Sequence, residues 1–185
     1  MPAPSRSLLL CLLALASTFS ACKKESTPEA KEEVIDFGPD PGFQYRTPQN
    51  LPGGGDATDW IADGAWNSRE KQLFAGLNLS LDEPQQTQQT GYWYASVYPN
   101  QSEASAGFSY INSVNASKVP AGCRVAYVIV DRRYTELLRG EAAPNATVAF
   151  QPNALAAGAL YRLYYVCYVP GQRVYFRSHG DIKVE

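Results

Sequence analysis

The stretch that most constrains this chain runs from Leu155 to Val184. Its first half alternates with the period of a strand. Tyr161, Leu163, Tyr165, Cys167 and Val169 fall on one face, and Leu160, Arg162, Tyr164, Val166 and Tyr168 on the other. Pro170-Gly171 supplies a turn, and Gln172 to Ser178 reads as a returning strand. The rest of the chain is expected in layers against this hairpin.

Cys123 to Asp131 is the clearest central strand, β-branched and apolar on both faces, so both faces should be covered. Tyr92 to Tyr98, Phe108 to Val114, Leu77 to Leu81 and Ala146 to Gln151 read as further strands. Thr135 to Arg139 is open between edge strand and loop. Ser68 to Gly76 reads as a short helix, with Ser68 as N-cap and Gly76 just past its end. Pro41 to Asp63 reads as loop, because of Pro48, Pro52 and the Gly53-Gly54-Gly55 run. With 12 Tyr, a single Met and abundant turn residues, the profile suits an extracytoplasmic all-β domain.

Residues 1–22 read as a targeting segment. Leu8 to Ala16 is an apolar run of h-region length, too short to span a bilayer. The segment ends Phe19-Ser20-Ala21-Cys22, which resembles the lipobox of bacterial lipoproteins, with Phe19 where an aliphatic residue is usual. The resemblance implies a diacylglycerol thioether on Cys22, cleavage before it and acylation (palmitate or similar) of the new amino terminus. Several acyl chains on one residue hold a protein firmly to a membrane without spanning it. Residues 23–40, rich in Lys, Glu, Ser and Pro, read as a flexible tether. Lys23-Lys24-Glu25 is similar to charged sorting tracts of some Gram-negative surface lipoproteins, and equally a plain solvated spacer. The implied location is a bacterial cell envelope, at the outer membrane of a Gram-negative cell. Residues 41–70 are expected as an irregular leader packed on a domain spanning 71–185.

Leu155-Ala156-Ala157-Gly158-Ala159-Leu160-Tyr161 resembles the tyrosine corner of fibronectin type III and related immunoglobulin-like domains, with Ala157 in place of the usual Pro. The resemblance implies an antiparallel β-sandwich in which the Tyr161 hydroxyl bonds back to the turn. It also sets the third strand beside the sixth, so that Cys123 and Cys167 face each other on neighbouring strands of one sheet. An oxidising compartment favours their pairing, and such a bridge contributes about 3–4 kcal/mol. A sandwich by itself implies no activity.

With Cys167 facing the core, the opposite face carries Ala126, Val128, Val130, Tyr164, Val166 and Tyr168, too apolar to stand open. Two covers are open. One is the protein's own leader, through Tyr45, Trp60 and Trp66. The other is a partner protein or glycan, which makes Val128, Tyr164, Val166 and Tyr168 a candidate binding face. Tyr92, Trp93, Tyr94 and Tyr98 form a second aromatic cluster, read first as strand packing.

The net charge is −2 with no basic patch, which argues against nucleic acid. No catalytic, cofactor or metal set is expected. Asp56, Asp59 and Asp63 miss the alternation of calcium loops and read as turn and capping residues. The single His, His179, adjoins Ser178, but neighbours on a strand point apart, so no triad is preformed. The expected function is a non-enzymatic, lipid-anchored binding or interaction module of the envelope. The alternatives are an accessory subunit of an envelope complex and, last, a hydrolase.

Overall fold

The computed structural model describes residues 33–61, 63–82, 94–101, 108–112, 121–144, 146–150, 154–171 and 174–185. Cys22 and the aromatic residues Tyr92 and Trp93 lie outside them. Among the described residues no helix is long and apolar enough to cross a membrane.

The regular structure of the described residues is mostly β, in antiparallel sheets. The strands are β1 (Gln44–Arg46), β2 (Pro52–Gly55), β3 (Tyr94–Val97), β4 (Phe108–Asn112), β5 (Arg124–Val130), β6 (Glu136–Ala142), β7 (Thr147–Ala149), β8 (Leu160–Tyr168) and β9 (Val174–Lys183). They form a β1–β2 hairpin, a three-stranded sheet in the order β3-β4-β7 and a four-stranded sheet in the order β6-β5-β8-β9. The organising hairpin is β8–β9, in register from Leu160 opposite Lys183 to Cys167 opposite Phe176, with a register shift before Tyr168 opposite Val174. Residues 44–46 and 52–55, read as loop, instead make the β1–β2 hairpin. Its three glycines allow this, since Gly54 and Gly55 take φ of 106° and 101° and Tyr45 lies flat over Gly53, where a Cβ would collide with its ring.

Period 2 separates two apolar layers on the four-stranded sheet. Val125, Ile129, Tyr161, Leu163, Tyr165 and Cys167 face one core, joined by Val97 of β3, Phe150 just after β7, and Trp60. Ala126, Val128, Val130, Tyr164, Val166 and Tyr168 face the other, covered by Ile35, Phe37, Trp66, Phe74 and Leu81. Residues 35 and 37, expected within a tether, thus belong to the packed domain. Ile35 and Phe37 are buried, and the Ile35 amide donates to the Arg132 carbonyl at 2.8 Å.

The helix α1 (Ser68–Gln72) is capped one residue earlier than expected, by Asn67. The Asn67 side chain accepts from the Glu70 amide at 2.9 Å, while Glu70 accepts from the Asn67 amide at 2.7 Å, a reciprocal capping box. Leu77 to Leu81 is not a strand. A 3₁₀ turn over Ala75–Leu77 ends at Asn78 in the left-handed conformation, φ 51°, and the chain then leads Leu81 into the second core. Glu136–Ala142 resolves as an edge strand, paired only to β5.

The turn before β8 closes on Tyr161. Its hydroxyl accepts from the Ala156 amide at 2.9 Å and donates to the Ala156 carbonyl at 3.1 Å. The ring is buried, so loss of the hydroxyl strands two backbone groups. Tyr161→Phe is expected to destabilise by about 1–2 kcal/mol in urea unfolding; an unchanged midpoint would deny these bonds any weight.

Candidate functional site

The candidate binding face is closed. Val128, Tyr164 and Val166 are 0% exposed and Tyr168 is 4% exposed. The cover is Ile35, Phe37, Trp66, Phe74 and Leu81, and the physical reason is area: a sheet face this apolar is stabilised by whatever removes it from water, and the adjoining chain is tethered to it. Of the three expected covering side chains, only Trp66 packs there. Trp60 belongs to the other core, and Tyr45 is exposed. Trp66 stacks on Phe74 and meets the Tyr164 edge, with both pairs of ring centroids 5.5 Å apart. The Tyr164 hydroxyl reaches Glu70 at 3.0 Å, tying the helix cap to the sheet.

His179 is a mid-strand residue of β9. Its Nδ1 lies 2.6 Å from Asp63 Oδ1, and the Trp66 indole donates to the other Asp63 oxygen at 2.6 Å. Burial disfavours the imidazolium, but the hydrogen bond and charge of Asp63 outweigh it, and the His179 pKa is raised. Ser178 pairs with Tyr165 and His179 with Tyr164 across β8, so the two side chains leave opposite faces. Ser178 Oγ bonds to the Ile61 carbonyl. Ser178, His179 and Asp63 thus do not form a nucleophile–base pair; they fix the chain near Ile61 and Asp63 to β9.

Cys123 and Cys167 are both buried free thiols, contrary to the expected bridge. The register explains it. Val125 stands opposite Cys167 and Arg124 opposite Tyr168, so Cys123, preceding β5, is a diagonal neighbour of Cys167 rather than its partner. Burial raises both thiol pKa values, that of Cys123 to about 11, which suppresses thiolate reactivity.

A polar cluster missed in the sequence sits where the leader crosses β9. Asp56, Asp59 and Asp181 are buried and offer carboxylate oxygens within 4.8 Å of one another. Arg162 on β8 grips Asp181 with Nε and Nη2, each at 2.6 Å. Asp59 accepts the Gln44 amide at 2.6 Å and the Asp181 amide at 2.9 Å. Asp56 Oδ1 accepts the amide and hydroxyl of Thr58 at 2.8 and 2.7 Å. Beside them, buried Asn100 donates to the Gln44 and Asp181 carbonyls and accepts from the Lys183 amide. Asp56 does take the turn role expected of it, whereas Asp59 and Asp181 clamp the leader to the last strand. The guanidinium pairs with Asp181 alone of the three acids. Burial, then the Asp181 charge, push the Asp59 pKa up to about 7.

Asp59 thereby makes stability pH-dependent. Its folded pKa exceeds its unfolded value, so the folded state binds the extra proton. The associated stability is fully present below about pH 4 and is lost as pH rises through about 7. The raised His179 pKa acts in the same direction. The urea midpoint is expected to fall between pH 5 and pH 8, and to fall less in Asp59→Asn. Equal falls in both proteins would remove Asp59 as the cause.

No protein-family model, no curated protein and no solved structure matches the chain.

Proposed function

We propose that this chain is a lipid-anchored, non-enzymatic interaction module of a bacterial cell envelope, built as a fibronectin type III-like β-sandwich. The observation that carries the sandwich reading is the pair of strand orders, β3-β4-β7 and β6-β5-β8-β9. It is the connectivity of a seven-stranded sandwich whose sheets exchange strands after β4, β6 and β7. The Tyr161 bonds to Ala156 support the same reading, as does a core that collects Val97 and Phe150 together with β5 and β8.

The anchor rests on Phe19-Ser20-Ala21-Cys22 and the apolar run before it. The interaction role rests on what is left exposed. With Tyr164 and Tyr168 covered, a sugar platform on β8 is withdrawn. Tyr45 and Leu51, at 41% and 62% exposure, present apolar surface at the β1–β2 hairpin, which favours a protein ligand. Cys22→Ser is expected to move the protein from the membrane to the soluble fraction of the expressing cell; a variant that still sediments with membranes would overturn the anchor. Crosslinking on intact cells should capture a partner through the hairpin, and Tyr45→Ala with Leu51→Ser should abolish it.

A further inference from the structure

The β1–β2 hairpin and the four-stranded sheet meet without a shared ladder. β1 pairs with β2 alone, and β9 is the last strand of its sheet. Two side chains stand between these strands and bond both. Asp59 accepts the Gln44 amide of β1 at 2.6 Å and the Asp181 amide of β9 at 2.9 Å. Asn100 donates to the Gln44 carbonyl at 2.9 Å and to the Asp181 carbonyl at 2.8 Å, and accepts from the Lys183 amide at 3.0 Å. The residue types fit the task. A carboxyl group offers acceptors to two amides, and a carboxamide has two N–H donors for two carbonyls and an oxygen for a further amide. Asp59 is 1% and Asn100 0% exposed, so these backbone groups are paired here and not by bulk water.

An isolated two-stranded hairpin is at best marginally stable in water, so this one depends on what holds it. The backbones of Arg46 and Asn100 bond in both directions, at 2.5 and 3.0 Å. At the hairpin turn, Asn50 Oδ1 accepts from the Arg46 guanidinium at 2.9 Å and from the Ser96 hydroxyl of β3 at 3.0 Å. The half-exposed Tyr45 ring is in turn seated on Gly53 of the same hairpin. Every step from the sheet to that ring is thus a bonded or packed contact. A surface fixed in advance binds without the entropy cost of ordering it.

We infer that Asp59 and Asn100 are positioning residues, which mount the β1–β2 hairpin on the edge of β9 as a rigid element and so preset Tyr45 and Leu51 for a partner. The inference rests on the proposed role of that hairpin as the interaction surface. Residual dipolar couplings of the backbone amides of the isotope-labelled full chain test it. In the parent protein the amides of Gln44 to Arg46 and Gly53 to Gly55 are expected to fit the same alignment as those of β8. In Asn100→Ala or Asp59→Ala the hairpin couplings should shrink by about half or more while β8 keeps its alignment, because the hairpin then moves on its own. A hairpin that aligns independently of β8 in the parent overturns the mount without any variant. So does a folded Asn100→Ala that keeps the parent couplings. Crosslinking on intact cells separates the two readings. Capture that survives Tyr45→Ala with Leu51→Ser refutes the hairpin as the interaction surface. Capture that this pair abolishes, but that is undiminished in an Asn100→Ala protein with a loosened hairpin, overturns the positioning role alone.

Discussion

Trp66→Ala is expected to lower stability by about 3–5 kcal/mol, the cost of removing a large buried aromatic. The side chain is 4% exposed and works in three directions at once. It stacks on Phe74, closes over the Tyr164 ring, and donates to Asp63. Asp63 then holds His179 on β9. Its loss leaves a void between the leader and the four-stranded sheet, with Phe74 and Tyr164 on its walls. Trp66→Phe keeps most of the volume and loses the hydrogen bond, for about 1–2 kcal/mol. Guanidinium unfolding measures both. A loss below 1 kcal/mol for the alanine variant would mean that the leader is not part of the core.

Arg162→Met is the second large effect, also about 3–5 kcal/mol. Asp181 has a fully buried side chain and Arg162 is its bidentate partner. Without the guanidinium, a carboxylate remains in the interior beside Asp59 and Asp56. Burial already raises the Asp181 pKa, with Arg162 opposing that rise, so the variant should drive Asp181 toward the protonated form. Arg162 also lies over the Phe37 ring, 5.4 Å from its centre, and donates to the Asp36 carbonyl, so it pins the start of the leader as well. Arg162→Met combined with Asp181→Leu removes both charges and is expected to recover most of the loss. Additive losses in the double variant would contradict a coupled pair.

What could be read from the sequence was whatever period 2 carries. The alternation of Leu160 to Val169 and of Cys123 to Asp131 set out two faces, and those faces are the two cores. Tyr161 was legible because its hydroxyl bonds five residues back, a local relation. Register was not legible. Whether Cys123 stands opposite Cys167 depends on a two-residue offset between strands far apart in sequence, and the offset leaves Val125 there. The end of the expected tether was misplaced for a related reason. Val34-Ile35-Asp36-Phe37 has only two inward residues, too short a pattern to separate a strap from a tether. The Asp59–Asp181–Arg162 cluster joins residues more than 100 positions apart, and no local motif announces it. Its only trace was Arg162, the single charged residue of the otherwise apolar or aromatic β8.

The closure of the sheet face by the chain's own residues 35–82 is the claim on which both the withdrawn glycan site and the remaining interaction surface depend. Amide hydrogen exchange on the intact protein tests it most directly. The Ile35, Trp60 and Asp63 amides donate to the carbonyls of Arg132, His179 and Arg177. They are expected to exchange as slowly as the amides of β8. Exchange of these three at the rate of free peptide, with β8 still protected, would show the face uncovered and return Val128, Tyr164, Val166 and Tyr168 to the candidates for a binding site.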